Sequence, residues 1–204
     1  MIPRVFAILA CLFLCSGAFS ASATVELQVA SGELIGARNV QVGSDLYDVV
    51  FVEGTCAGVF ASCATMSTDS FLFTTATEAE AAAQALLEDV LTDGPAGLFD
   101  SDPTKTFGCE YPDGCTLLTP FDYYSSSATD HYVQTGAAYN YPPSTGDLAM
   151  HAIHFLSSNT LDEPSNVWAV WSPHVAPVPE SSTLLISASG FLTWGAMAWR
   201  RRKH

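Results

Sequence analysis

Positive charge is scarce in this chain. Only seven of the 204 residues are Lys or Arg, against 21 Asp and Glu. One of the seven is Arg4, and four more are consecutive near the C-terminus, at Arg200–Lys203. The body between them keeps only Arg38 and Lys105 against all 21 acidic residues, so its formal net charge is −19. Such a body repels phosphate backbones, and we therefore expect no nucleic acid as a partner.

Motifs for nucleophilic catalysis and for phosphate binding are also missing. The chain contains no Gly-x-Ser-x-Gly, no His-Glu-x-x-His and no phosphate-cradling glycine loop. Because catalytic groups assemble in space, a missing motif weakens the enzyme hypothesis without excluding it. The sequence therefore favours a non-enzymatic protein, and it indicates no cofactor.

Three histidines are the candidate ligands of a metal-dependent hydrolytic site. His151 and His154 lie three residues apart, and His131 is the third candidate. On a helix the first two would share a face, but residues 148–157 have the pattern of a strand, in which residues three apart point to opposite sides. We therefore expect no metal site, and a metal-dependent hydrolase stays an alternative hypothesis.

An acidic turn is a second candidate for metal binding. Asp100, Ser101 and Asp102 resemble the start of a calcium loop. Thr104 and Thr106 replace the further carboxylates, and the glycine that such a loop requires is absent. A turn built around the Asp-Pro pair is the better interpretation.

Cysteine usage is typical of an exported protein. Two of the six cysteines lie near the N-terminus, and the other four permit three pairings. Closeness in sequence favours two short loops, with six and five residues between the partners. Structural zinc ligands usually have two to four residues between them, so disulfides are favoured over a four-thiolate zinc site. The favoured pairs are Cys56 with Cys63 and Cys109 with Cys115.

The first 23 residues have the pattern of a signal peptide. Arg4 precedes an apolar run from Val5 to about Leu14, and the small residues that follow end in Ala21-Ser22-Ala23. This order of charge, apolar core and small-x-small site predicts cleavage before Thr24.

The other end of the chain predicts a membrane anchor. Residues 173–180 form a proline-rich spacer, and 181–199 are nineteen residues without a charge. At about 1.5 Å per residue a helix of this length is roughly 28 Å long, close to the hydrocarbon core of a bilayer. We therefore predict a transmembrane helix and tail over 181–204, with the cationic cluster on the cytoplasmic side. The cluster consists of Arg200, Arg201, Arg202 and Lys203.

The order of spacer, short motif, apolar helix and cationic cluster resembles the PEP-CTERM sorting signal of exopolysaccharide-producing Gram-negative bacteria. The motif here is Val178, Pro179, Glu180 and Ser181, with Ser where the family usually has a second Pro. The resemblance implies transient residence in the inner membrane and then removal of the tail by an exosortase-type protease. It further implies release to the cell surface or exterior.

Residues 33–171 also resemble a recurrent group of PEP-CTERM cargo proteins. The likeness rests on LIGARNVQVGSDLYDVVFVEGTC, on the alanine-rich stretch before an acidic Gly turn, on FDSDPTKTFGC and on the WAVW near the end. No activity is assigned to that group, so the resemblance implies one folded exported domain and no reaction.

Periodicity predicts the fold of that domain, residues 24–172. A hairpin is expected between Glu33 and Gly54, and a small-residue loop, stapled by a disulfide, over 54–68. Thr77 and Glu80 predict a capping box that opens a helix, and its apolar stripe is Ala83, Leu86, Leu87, Val90 and Leu91.

Three more strands are expected after the helix, at 131–141, 148–157 and 166–171. Strands before and after a single long helix predict an α+β fold, with a mostly antiparallel sheet and the helix packed on one face.

Aromatic residues on these strands raise the alternative of carbohydrate binding. Rings on strands stack on sugars, although alternating aromatics more often form cross-strand pairs or core. The leading hypothesis is therefore a non-enzymatic exported protein associated with the exopolysaccharide matrix. The alternatives are a secreted carbohydrate-binding protein or metal-dependent hydrolase, and a periplasmic protein anchored permanently in the inner membrane. The candidate rings are Trp168, Trp171, Tyr123, Tyr124, Tyr132, Tyr139 and Tyr141.

Overall fold

The computed structural model describes residues 24–142 and 146–176. Its main element is a seven-stranded sheet, with strand order β1-β2-β3-β9-β6-β7-β8, and a two-stranded ribbon, β4-β5, lies apart from it. The strands are β1 (Glu26–Ala30), β2 (Glu33–Val42), β3 (Asp45–Val52), β4 (Asp93–Gly94), β5 (Gly97–Leu98), β6 (Cys115–Ser125), β7 (His131–Asn140), β8 (Leu148–Phe155) and β9 (Asn166–Pro173).

The helical elements are short except for one. They are α1 (Cys56–Val59), α2 (Ala76–Ala85), a π-helical segment (Leu86–Val90) that continues α2, and single 3-10 turns. The 3-10 turns span Ala61–Ala64, Pro103–Lys105 and Thr160–Asp162.

The sheet confirms the predicted α+β class. Every neighbouring pair in the seven-stranded sheet is antiparallel except β6 with β9, which run parallel over three residue pairs. The predicted hairpin is β2 and β3, which meet at Val42 and Asp45. The later predicted strands correspond to β7, β8 and β9. Strands β1 and β6 were not predicted.

The main helix begins two residues earlier than the sequence predicted. Thr75, with an extended backbone, is the N-cap, and its hydroxyl accepts a hydrogen bond from the Glu78 amide at 3.2 Å. The Glu78 carboxylate in turn accepts one from the Thr74 amide at 3.2 Å. The predicted Thr77–Glu80 box is therefore wrong, because an identical Thr-x-x-Glu spacing two residues upstream supplies the cap and Thr77 lies inside the first turn of the helix. The predicted apolar stripe is confirmed, since all five of its members are buried.

The helix backbone lies very close to the sheet at Gly136 on β7. An ideal Cβ built on Gly136 would lie 2.2 Å from both the carbonyl carbon and the carbonyl oxygen of Ala79. Ala79, Ala82 and Ala83 are fully buried on this side of the helix. Small side chains on both elements thus allow the backbones to approach, and this contact fixes α2 over β7.

Each face of the sheet carries its own hydrophobic cluster. The cluster under α2 includes Leu117, Val167 and Trp171. The cluster on the other face includes Leu118, Trp168 and residues of the loop after β3, which is the predicted stapled loop with α1 inside it. Because neighbours along a strand alternate between the two clusters, the sheet is buried on both faces at its centre.

Candidate functional site

The predicted sorting residues lie outside the described residues. This applies to the signal peptide (1–23), to the motif from Val178 to Ser181, and to the predicted transmembrane helix and tail (181–204). Among residues 24–142 and 146–176, no helix combines the length and the apolar content that a bilayer-spanning segment needs.

The four body cysteines form the two favoured pairs. Cys56 is bonded to Cys63, with their Cα atoms 5.7 Å apart, and Cys109 is bonded to Cys115, at 5.5 Å. The first bridge lies in the hydrophobic cluster beneath the stapled loop, and the second joins the start of β6 to the loop before it. Closing loops of this length stabilises the folded protein by roughly 2 to 3 kcal/mol for each bridge.

The three candidate histidines do not converge. His151 and His154 lie on β8 opposite Gly136 and Val133, so they face opposite sides of the sheet, as the strand interpretation predicted. The His151 ring lies against the Phe121 ring, with centroids 5.4 Å apart. His131 is hydrogen-bonded through Nδ1 to the Ser125 hydroxyl at 2.9 Å. Within the described ranges no cluster of three or more His, Cys, Asp or Glu side chains is placed to hold a metal ion.

His154 is nevertheless in an unusual environment. Its Nε2 is buried and has no hydrogen-bond partner among the described residues. Burial lowers the pKa of His154 below its usual value, and the negative charge of Glu163 opposes this effect only in part. His154 is therefore a neutral, half-buried side chain on the sheet face opposite α2.

The acidic stretch at Asp100 is a turn. The Asp93 carboxylate accepts hydrogen bonds from the amides of Asp100 and Ser101, both at 3.0 Å, and another from the Ser101 hydroxyl. These bonds lower the pKa of Asp93, and the Ser101 hydroxyl contributes most. Because this carboxylate closes the turn of β4 and β5, the interpretation of this stretch as a turn and not a calcium loop is supported.

The tryptophans among the candidate rings are core residues. Trp168 is fully buried, and its indole N–H donates to the Gly54 carbonyl at 2.9 Å. Trp171 is nearly as buried, and its indole N–H donates to the Thr119 hydroxyl at 3.0 Å. Neither ring face is available to a sugar.

The five tyrosines fall into three places. Tyr123 is half-buried and stacks on Phe71 of the stapled loop, with centroids 5.1 Å apart. Tyr139 and Tyr141 stack on each other, with centroids 6.1 Å apart and an interplanar angle of 10°. Tyr124 and Tyr132 form part of a row on the other face, where the sheet extends beyond α2.

This row, here called the aromatic row, consists of Tyr124, Tyr132 and Phe155 on β6, β7 and β8. The three residues are register partners across the strands. The ring centroids are 5.9 Å apart for the two tyrosines and 4.7 Å apart for Tyr132 and Phe155, each pair at 36°. Tyr124 is 49% exposed and Phe155 is 54% exposed. The rings thus form a continuous apolar strip open to solvent.

Polar side chains border the aromatic row on the same sheet face. Asp122 and Gln134 are register partners in the next rank of β6 and β7, and the Gln134 amide donates to the Asp122 carboxylate at 3.3 Å. Ile153 lies beside Gln134 on β8 and is 52% exposed. This part of the sheet surface therefore combines partly exposed aromatic side chains with a carboxylate and an amide on adjacent strands.

A separate cleft lies at the centre of the fold, where β6 and β9 diverge. It has a volume of about 150 Å³ and lies between the stapled loop and the two strands. Pockets that enclose drug-sized ligands usually measure roughly 300 to 1,000 Å³, so this cleft is smaller than a typical ligand pocket. Phe60, Phe71, Thr119 and Trp171 are among its lining residues.

Comparison of the chain with protein-family models, with curated proteins and with solved structures finds no match. What the structure establishes is a disulfide-bonded α+β domain with an exposed row of aromatic side chains.

Proposed function

We propose that this protein is a non-enzymatic exported protein that is sorted by its C-terminal signal to the cell surface, where it binds exopolysaccharide. The aromatic row is the observation that carries the binding part of this proposal. Exposed apolar patches of this kind mark interaction sites. The exposed parts of the three rings offer apolar surface to the C–H groups of a sugar, while Asp122 and Gln134 offer hydrogen-bond partners to its hydroxyls.

The flat geometry of the row suits a polymer. Three rings on adjacent strands, each about 4.8 Å from the next strand, present a strip and not an enclosed pocket. A strip can contact several consecutive sugar units of a chain without enclosing its end. With a body charge of −19, we expect a neutral polysaccharide to bind better than an acidic one at low ionic strength.

The sorting part of the proposal rests on the residues 173–204. The predicted leader would bring the body across the inner membrane, the apolar segment would hold it there, and an exosortase-type protease would cut near Val178–Ser181. Disulfide bonds in the body support export. Permanent anchoring in the inner membrane is the competing outcome, in which the tail is retained.

Binding is tested on immobilised neutral β-glucan and on an acidic polysaccharide such as alginate. We expect Tyr124→Ala and Tyr132→Ala each to weaken retention on the neutral polymer about tenfold, which corresponds to about 1.4 kcal/mol. Tyr111→Ala is the matched control, because Tyr111 is 51% exposed and lies outside the row. Equal retention of all three variants and the wild type would remove the aromatic row from the proposal.

Sorting is tested separately by mass spectrometry of the terminal peptides from the cell-surface fraction. The proposal expects a mature chain that begins near Thr24 and ends upstream of the tail. An intact C-terminus in inner-membrane fractions alone would favour permanent anchoring instead.

A further inference from the structure

The chain leaves the body at the same end of the sheet as the aromatic row. Strands β6 and β9 run parallel, and Leu118 is the register partner of Trp168. From this pair, β9 continues for five residues to Pro173, its last residue, and β6 continues for six residues, across one bulge, to Tyr124. The other two rings of the row lie level with Tyr124 on β7 and β8. The row and the exit of the chain are therefore at about the same height along the sheet.

His174 fixes the point at which the chain leaves the body. Its amide donates to the Leu46 carbonyl at 2.9 Å, and its Nδ1 lies 2.8 Å from the Asp48 carboxylate. Both partners lie on β3, the strand that pairs with β9. The next residue, Val175, is 81% exposed. The body therefore holds the chain as far as His174, and only the residues after it can act as a tether.

The tether between the body and the predicted membrane segment is short. The uncharged stretch begins at 181, seven residue steps after His174. At about 3.6 Å per residue, seven steps of even a fully extended chain span at most roughly 25 Å. A chain anchored through 181–199 would therefore keep His174 within this distance of the bilayer surface.

This limit decides which end of the body can meet the bilayer. Strand β6 has eleven residues, and at about 3.4 Å per residue it is roughly 37 Å long. The far end of the sheet also has exposed apolar side chains, at Leu148 and Tyr111. A body that stood on its far end would hold His174 farther from the lipid than the tether reaches. The tether therefore favours contact through the end that carries the aromatic row.

The side chains of the row suit a lipid interface. Tyr124 and Phe155 are 49% and 54% exposed, and Ile153 beside them is 52% exposed. Tyrosine is enriched at membrane–water interfaces, where its ring is in apolar surroundings and its hydroxyl stays among the headgroups. Because the body has a formal net charge of −19, an anionic lipid surface would repel it. The partner that fits is therefore the headgroup region of a zwitterionic bilayer.

We infer that the aromatic row lies against the bilayer surface as long as the chain is anchored, and that it becomes free to bind polysaccharide only when the tail is removed. This inference rests on the proposed anchor at 181–199 and on the proposed role of the row. Cleavage of the tail then has two effects in one step, because it releases the body and uncovers its binding surface.

The test uses the full-length chain in phosphatidylcholine vesicles, with oxidation of tyrosines by hydroxyl radicals measured by mass spectrometry. Tyr124 and Tyr111 are matched in the body, at 49% and 51% exposed, but Tyr111 precedes β6 and lies at the far end of the sheet. Tyr124 is expected to be oxidised at least about fivefold less than Tyr111, because a short tether keeps the effective concentration of the bilayer high. Equal oxidation of the two tyrosines in the vesicle-bound chain would overturn the inference.

A pair of variants checks that lipid contact causes the protection. Phe155→Glu places a charge in the row and is expected to raise the oxidation of Tyr124 to that of Tyr111. Val50→Glu is the matched control, since Val50 is 53% exposed on β3, away from the row, and it is expected to leave Tyr124 protected. Protection of Tyr124 that survives Phe155→Glu would also overturn the inference.

The same samples distinguish a failure of this inference from a failure of the proposed function. A chain that does not float with the vesicles would remove the proposed anchor, and the inference with it. A chain that floats and has a fully oxidised Tyr124 would remove the inference alone. Protection of Tyr124 in a protein that β-glucan does not retain would support the lipid contact and remove the polymer-binding part of the proposed function.

Discussion

The contact between Gly136 and Ala79 predicts a large effect from one methyl group. The Cβ introduced by Gly136→Ala would lie 2.2 Å from the carbonyl atoms of Ala79, and ordinary Cβ contacts begin at 3.4 Å. The atoms it meets belong to helix backbone, so a rotamer change cannot relieve the overlap. Helix α2 would have to retreat by about 1 Å, which loosens the contacts of the fully buried Ala82 and Ala83. Overpacking of this kind typically costs about 1 to 3 kcal/mol.

The measurement is urea unfolding of the purified protein, followed by the fluorescence of the buried tryptophans. We expect Gly136→Ala to lower the free energy of unfolding by about 2 to 3 kcal/mol, which corresponds to a fall in Tm of roughly 4 to 12 °C for a domain of this size. Gly94→Ala is the matched control, because a Cβ there meets nothing within 4 Å and surface changes usually stay within about 0.5 kcal/mol. If Gly136→Ala were as stable as this control, α2 could not lie where the structure places it.

Two further predictions concern the helix cap and a buried histidine. Thr75→Ala removes the observed cap and is expected to lower the free energy of unfolding by about 1 kcal/mol. Thr77→Ala, at the cap predicted from the sequence, is expected to change this free energy little. If urea unfolding showed the larger loss for Thr77→Ala, Thr77 and not Thr75 would be the cap. Burial lowers the pKa of His154, so the unfolded chain binds a proton there at a higher pH than the folded protein does. The free energy of unfolding is therefore expected to fall as the pH is lowered through about 6.5. In His154→Gln, the Tm is expected to depend less on pH between pH 7 and 5 than it does in the wild type. An equal dependence of Tm on pH in the two proteins would contradict this prediction.

Prediction from the sequence succeeded for the elements whose buried residues recur at a regular spacing. Residues Val40 and Val42 alternate before the turn that joins β2 to β3, and all five members of the helix stripe are buried, so both elements could be predicted from spacing alone. The two disulfides could also be predicted, because the partners of each pair are close in sequence. In each case the interaction is local, and neighbouring residues carry its pattern.

Strand β6 shows what the sequence could not supply. Seven consecutive residues from Cys115 to Phe121 are buried, so the strand shows no alternation, and it contains Pro120, a residue type that is rare inside a sheet. Its parallel pairing with β9 depends on chain segments about fifty residues apart. The prediction of the helix cap was wrong for a different reason: two equivalent Thr-x-x-Glu patterns overlap, and the local sequence does not distinguish them.

Only the structure could show which of the candidate aromatic rings are buried and which are exposed. Seven aromatic residues were equivalent in sequence, and the sheet separates them into buried tryptophans, a Tyr123 stacked on the stapled loop, a stacked tyrosine pair and two members of the aromatic row. Phe155 was missed altogether. Phe155 could have been found only from the register of β7 against β8, which places it opposite Tyr132. That register is fixed only when both strands and their connection are known.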